Sequence, residues 1–186
     1  MNLEDLVNNV ILDVPDCPLM TIRQEIMRSS RKFCTDADAW VERDKVCVAL
    51  VSTKTGAITP PSYGEPIRLN SLTLDGDKVR QGRVWKQVDP GTVEFTHTPS
   101  ETILKGDLVM RPHPNKMPPE EIIERWSEAF EDGARGRLLL MPQPWRDPAM
   151  AEFYLRRREE ACSEAKQASR LGHGQGRTRV TQRRFM

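Results

Sequence analysis

The first hydrophobic residues of the chain recur at spacings of three and four, which places them on one face of a helix. These residues are Leu3, Leu6, Val7 and Val10. Asn2 precedes them and is a suitable N-cap, so the pattern predicts a helix over about 3–12. Pro15 and Pro18 interrupt the pattern before a second helix, predicted over about 19–34. The two helices should form a short helical hairpin.

Helical spacing gives way to short apolar runs between positions 46 and 112. The runs cover residues 46–51, 67–74, 84–88, 92–96 and 103–110, and glycines and prolines stand between them. Short runs bounded by such residues predict strands joined by turns. Asp75 and Gly76 predict a hairpin turn after the second run. The region is therefore predicted to be a small antiparallel sheet inserted into the chain.

Helical spacing returns after Pro118 and Pro119, which suit the first turn of a helix. Apolar residues continue at this spacing and predict a third helix that ends near Leu140. Asp147 followed by Pro148 predicts the N-cap and first residue of a fourth helix, which should run to about position 172.

Small residues in the middle of the third helix predict close packing. The residues are Gly133, Ala134 and Gly136. Glycine inside a helix costs about 1 kcal/mol relative to alanine, so close approach of another helix or subunit is a reason to keep it; a locally weak helix is the alternative.

Trp145 stands between prolines in the corner before the fourth helix. We assign Trp145 to the geometry of that corner, with a subunit contact as the alternative.

These patterns predict an α+β chain that is mainly a helical bundle of about four helices with a small inserted antiparallel sheet. The helices occupy about 2–34 and 118–171, and the insert about 46–112. Residues 1–172 should form a single domain, followed by a flexible basic C-terminal tail over 173–186. A length of 186 residues with 38% hydrophobic and 30% charged residues fits one folded domain with polar extensions.

Apolar runs and cysteine usage indicate where in the cell the protein is expected. No apolar run approaches the roughly 18 residues that span a bilayer, and the first residues lack the pattern of a signal peptide. The sequence therefore predicts a protein without membrane contact. The four cysteines, at positions 17, 34, 47 and 162, are scattered without metal-ligand spacing. Reduced, buried thiols in a cytoplasm are the expected state.

Motifs for catalysis are missing from the sequence. It has no nucleophile elbow, no zinc-protease helix, no phosphate loop and no calcium loop. We expect no enzyme activity, no cofactor and no metal. An enzyme whose site is assembled from distant residues is one alternative, and its first candidates are Glu120, Glu121, His97 and His113.

Charge is uneven although the net charge is only +1. After Lys166 the chain has no acidic residue, and five arginines follow. Such charge asymmetry at a terminus predicts a segment that binds a partner molecule. An arginine-rich tail can also hold phosphates, so a nucleic-acid-binding protein is the main alternative function.

Three segments together resemble one family of proteins. They are L-x-x-L-V-x-x-V-x-x-D-V-P-x-C-P from Leu3, R-K-F-C at 31–34 with Trp40 shortly after, and R-W-S-E-A-F-E-D-G-A-R-G-R-L-L-L-M-P-Q-P-W-R-D-P at 125–148. They are similar to the head-to-tail adaptor proteins of short-tailed and related bacteriophages. The likeness covers most of the chain and is weakest in the sheet region.

The resemblance implies a structural virion protein, found at the head-to-tail junction and assembled in the host cytoplasm. It implies a homo-oligomeric ring, commonly of twelve copies, beneath the portal protein and above a tail or nozzle protein. Genomic DNA would pass through the ring without sequence-specific binding. The tail would grip the portal, and its candidate portal-binding residues are Arg177, Arg179, Arg183, Arg184 and Phe185. Subunit packing would fall to Gly133, Ala134, Gly136 and Trp145.

Overall fold

A computed structural model describes residues 1–60 and 63–171. It contains four helices, α1 Leu3–Ile11, α2 Leu19–Ala37, α3 Glu120–Leu140 and α4 Pro148–Leu171. Seven strands lie between α2 and α3: β1 Trp40–Leu50, β2 Thr55–Ile58, β3 Glu65–Leu74, β4 Asp77–Arg80, β5 Trp85–Asp89, β6 Thr92–Phe95 and β7 Ile103–Arg111.

The prediction of a mainly helical bundle with a small sheet is wrong. The seven strands form one antiparallel half-barrel that holds 28% of the described residues, so the chain is α+β with a substantial sheet. The sheet is larger because β1 begins at Trp40, within a polar stretch that shows no apolar alternation. The short strands β2 and β4 add to it, and β4 is almost fully exposed and polar.

Local signals at the ends of elements are confirmed. Asn2 and Asp5 form a reciprocal capping box at the start of α1. Asp147 accepts hydrogen bonds from the amides of Ala149 and Met150, both at 3.1 Å, and so caps α4. The turn at Asp75 and Gly76 joins β3 to β4 with both residues at positive φ, as a two-residue hairpin requires.

The four helices pack as antiparallel neighbours. Aromatic contacts join α2 to α3, with the ring of Phe33 5.4 Å from that of Trp126 and 5.5 Å from that of Phe130. Close contacts of Gly133 with Arg158 and of Gly136 with Leu155 align α3 against α4 in opposite directions. The α1–α2 and α3–α4 connections consequently meet at one end of the bundle, which we call the loop end.

The sheet has the strand order β4-β3-β7-β1-β2-β6-β5. The sheet curves so that side chains of β5, at one edge, contact β3 and β4 at the other edge. Gln87 accepts a hydrogen bond from the Leu69 amide at 2.8 Å and donates to the Ile67 carbonyl at 3.4 Å. Trp85 Nε1 donates to the Val79 carbonyl at 3.2 Å. These bonds satisfy backbone groups that no neighbouring strand pairs.

Two hydrophobic clusters result, one in the bundle and one in the sheet. Cys34, near the end of α2, belongs to the sheet cluster, and Ile122 packs against both. The sheet and the bundle thus meet where α2 ends and α3 begins. This opposite end of the bundle is the sheet end.

Candidate interaction surface

The predicted packing residues of α3 lie between helices of the same chain. They are Gly133, Ala134 and Gly136, and all three are buried. A Cβ atom added at Gly133 would stand 2.1 Å from Ser29 Oγ, and one added at Gly136 would stand 2.7 Å from Leu155 Cγ. The close approach that their sequence pattern indicated is therefore between α3 and its neighbours α2 and α4, and it leaves these residues little surface for a second subunit.

Trp145 lies in the corner between α3 and α4. Its indole Nε1 donates a hydrogen bond to the Leu138 carbonyl at 3.2 Å, and its ring packs against the helical core while remaining partly exposed. The side chain therefore fixes the geometry of the corner and also presents one surface to the loop end.

The predicted portal-binding residues lie outside the described residues. They are Arg177, Arg179, Arg183, Arg184 and Phe185. Chain 172–186 leaves from the end of α4, which lies at the sheet end because Arg43 of β1 donates a hydrogen bond to the Ser169 carbonyl at 3.0 Å.

The scattered candidates for an enzyme site do not come together, and His97 is exposed just after the end of β6. His113 contacts Glu65 at 3.2 Å, and Glu120 lies 3.7 Å from the amino group of Met1. Glu121 lines a groove of about 300 Å³ at the sheet end together with Arg43 and other residues, none of them histidine. In the described part of the chain, no three His, Cys, Asp or Glu side chains are placed to hold a metal ion.

A charged cluster fastens the sheet to the bundle. Glu65 Oε2 of β3 accepts hydrogen bonds from Arg31 of α2 at 2.7 Å and from Arg111 of β7 at 3.0 Å. Arg31 also donates to the Pro112 carbonyl, in the connection that leads to α3. The hydrogen bond from Arg31 contributes most to lowering the pKa of Glu65 from 4.5 to about 2. We call these residues, with His113, the junction cluster.

Ion pairs inside the bundle join its helices. Arg135 of α3 lies 2.7 Å from Asp13, 3.2 Å from Glu131 and 3.4 Å from Asp132. Glu25 of α2 lies 2.7 Å from Arg137 of α3. Burial raises the pKa of Asp132 although arginines lie beside it. These charged groups form ion pairs across the bundle, although Glu25 Oε2 and Arg135 Nε make no hydrogen bond with a described residue.

A pocket opens at the loop end, between the two connections. It has a volume of about 260 Å³. Its lining consists of Asp13, Pro15, Asp16, Leu139, Trp145, Asp147, Met150 and Tyr154. Three carboxylates and two aromatic rings face this space, and the lining contains no lysine or arginine. The pocket therefore combines negative charge with apolar walls.

Exposed apolar side chains mark the same end of the bundle. They are Leu12, Leu19, Met20, Leu140, Met150 and Phe153, each at least 40% exposed. Leu12 is 80% exposed and directly precedes Asp13 of the pocket. Clusters of exposed apolar residues mark contact sites with other proteins. The sequence analysis did not identify this surface, because its residues come from separate helix ends that only the packing of the bundle brings together.

Neither a scan with protein-family models nor a search of curated proteins gave a match for this chain. The resemblance to phage adaptors stays a prediction that rests on the sequence segments alone. Each helix within the described residues is too short or too polar to cross a membrane.

Proposed function

We propose that the chain is a structural virion protein, a head-to-tail adaptor that joins the phage capsid to the tail. It acts as a subunit of a ring, of about twelve copies by the resemblance, docked beneath the portal. The tail or nozzle protein binds below, and genomic DNA passes through the ring. The protein reaches the virion after assembly in the host cytoplasm, and it needs no cofactor.

The observation that carries this proposal is the apolar surface of the loop end. Six large apolar side chains are exposed at one end of a bundle whose buried charges are paired with one another. A protein that acts through contact with other proteins has use for such a surface. A small-molecule enzyme requires instead a deep pocket with convergent polar groups.

The basic segment after α4 supplies the proposed contact with the portal. Its arginines can form paired hydrogen bonds with carboxylates, and Phe185 can fill an apolar pocket. If the segment is ordered only on docking, contacts with the portal must offset the conformational entropy that it loses. Assembly then depends on the presence of the portal.

Native mass spectrometry of the full-length protein mixed with portal rings of the same phage tests the proposal. We expect binding in ring stoichiometry. Reversing the charge of Arg177, Arg179, Arg183 and Arg184 to glutamate should abolish binding. The control reverses Arg80 and Arg83, which are exposed on the sheet, and should leave binding unchanged. Failure of the unaltered protein to bind portal rings would rule out the adaptor function.

Nucleic-acid binding through the same arginines is the second candidate. Contacts with phosphates release counterions, so binding to DNA would weaken steeply as salt increases. Docking on a portal through apolar surface and shape should change less, although its ion pairs are screened as well. Measuring the salt dependence of both complexes therefore separates the two functions.

A further inference from the structure

We infer that the pocket at the loop end binds the segment 172–186 of a second copy of this chain, through Arg183, Arg184 and Phe185. The inference rests on the proposed function, because a ring places copies side by side. It narrows that function by assigning Arg183, Arg184 and Phe185 to the neighbouring subunit, which leaves Arg177 and Arg179 for the portal.

The charge of the pocket selects a cationic occupant. Asp16 is exposed and makes no hydrogen bond or ion pair with any described residue. Asp13 already pairs with Arg135 at 2.7 Å and accepts a hydrogen bond from the Tyr154 hydroxyl at 3.1 Å. Asp147 caps α4. Asp16 is thus the carboxylate available for a new ion pair, because Arg135 neutralises Asp13 and Asp147 is engaged at the start of α4.

The size and walls of the pocket fit side chains of a peptide. A volume of about 260 Å³ is below the range of sites for drug-sized ligands. The partly exposed ring of Trp145 offers a face on which a guanidinium group can stack, whereas the guanidinium of Arg135 already lies 5.4 Å from the Tyr154 ring. Met150 lines the pocket and Phe153 lies beside Tyr154, with ring centroids 5.4 Å apart. These apolar side chains can receive an aromatic residue next to the arginines.

The segment 172–186 carries the complementary chemistry. It has four arginines and no acidic residue, and Arg183, Arg184 and Phe185 are consecutive. Two adjacent cations followed by an aromatic side chain match a negative pocket beside exposed apolar residues. Arginine and large aromatic residues are also the types that contribute most at protein interfaces.

The segment 172–186 is long enough to reach from the end of α4 to the loop end of a neighbouring copy. Helix α4 has 24 residues and is about 36 Å long, with the pocket at its start and the segment at its end. Fifteen residues span at most about 50 Å when extended. The segment can therefore run along a neighbouring bundle to the loop end of that copy.

Two-dimensional NMR of the full-length protein tests this contact. The receptor is the Arg183→Glu, Arg184→Glu variant, whose own segment is disabled, and the probe is a synthetic peptide of residues 172–186. We expect the peptide to shift resonances of Asp16, Met150 and the Trp145 indole. Asp16→Arg in the receptor should weaken peptide binding about five- to tenfold.

Two controls are matched to these variants. Glu101→Arg makes the same charge change at an exposed residue of the sheet region and should leave peptide affinity unchanged. A peptide with both arginines replaced by glutamate should not bind. Shifts away from the loop end, or equal weakening by the Asp16 and Glu101 variants, would overturn the inference.

NMR spectra of the unaltered protein at several concentrations show whether the segment binds the pocket of its own chain or that of a second copy. Its loop-end resonances should move toward the peptide-bound positions as protein concentration rises. Bound positions already reached in dilute solution and independent of concentration would show that each segment fills its own pocket, which overturns binding to a second copy. Because no portal is present, a negative result here leaves the portal experiment, and with it the proposed function, standing.

Discussion

The junction cluster offers a quantitative test of how the sheet is fastened to the bundle. Glu65→Gln removes the charge that faces Arg31, Arg111 and His113 but keeps the size of the side chain. Lowering of the Glu65 pKa from 4.5 to about 2 corresponds to an upper limit of about 3.4 kcal/mol, at about 1.36 kcal/mol per pKa unit. The side chain is 26% exposed, so screening reduces this, and we expect a loss of about 1–2 kcal/mol at pH 7.

The contribution of Glu65 to the free energy of unfolding should decrease as the pH falls. Because folding lowers the pKa of Glu65, its ionised form stabilises the fold fully above the unfolded pKa of about 4.5, and this stabilisation disappears as the pH falls to about 2. Urea unfolding of wild type and Glu65→Gln should therefore differ less than half as much at pH 3 as at pH 7. Glu101→Gln, at an exposed position, is the control and should match wild type. A difference that is equal at both pH values, or absent at pH 7, would refute the reasoning.

Two further predictions concern packing. Gly133→Ala should cost about 1–3 kcal/mol in urea unfolding because its Cβ would overlap Ser29 Oγ, whereas Gly82→Ala meets open space and should cost far less. Adding Ser29→Ala, which removes a buried hydroxyl without a hydrogen-bond partner among the described residues, should restore most of that loss; no recovery would place the strain elsewhere. Gln87→Ala should cost about 1–3 kcal/mol and speed hydrogen exchange of the Leu69 amide, and unchanged exchange there would contradict closure of the sheet by Gln87.

Elements with local signals could be predicted from the sequence. The capping residues Asn2 and Asp147 and the turn at Asp75 and Gly76 act on backbone groups within three residues of themselves. Their effect is decided by the adjacent sequence, so one chain without relatives is enough to find them. The predicted starts of α1 and α4 consequently lie close to those in the structure.

The extent of the sheet could not be predicted in the same way. The first half of β1 carries Glu42 and Lys45 on either side of a register shift, and Asp44 there has positive φ. Such a segment becomes a strand because it pairs with β7, whose residues lie 61 to 70 positions later in the chain and supply the missing hydrogen bonds. Pairing over that distance leaves no local period in the sequence.

The candidate surface also depends on distant segments. Asp13 and Asp16 follow α1, whereas Trp145 and Asp147 follow α3, and only the antiparallel packing of the helices brings them together. The sequence identified Trp145 as a corner residue, but it gave no reason to place carboxylates from residues 13–16 beside it.

The buried ion pairs of the bundle explain how this surface is held in place. Paired charges in an interior stabilise a fold little, because desolvation offsets their attraction, but they penalise any other alignment of the helices. Arg135 contacts Asp13 at the end of α1 while also contacting Glu131 and Asp132 of its own helix. A shift of α1 along α3 would separate Arg135 from Asp13, while the pairs of Arg135 with Glu131 and Asp132 within α3 would remain. The contact between Arg135 and Asp13 therefore links the register of the two helices to the position of one wall of the pocket.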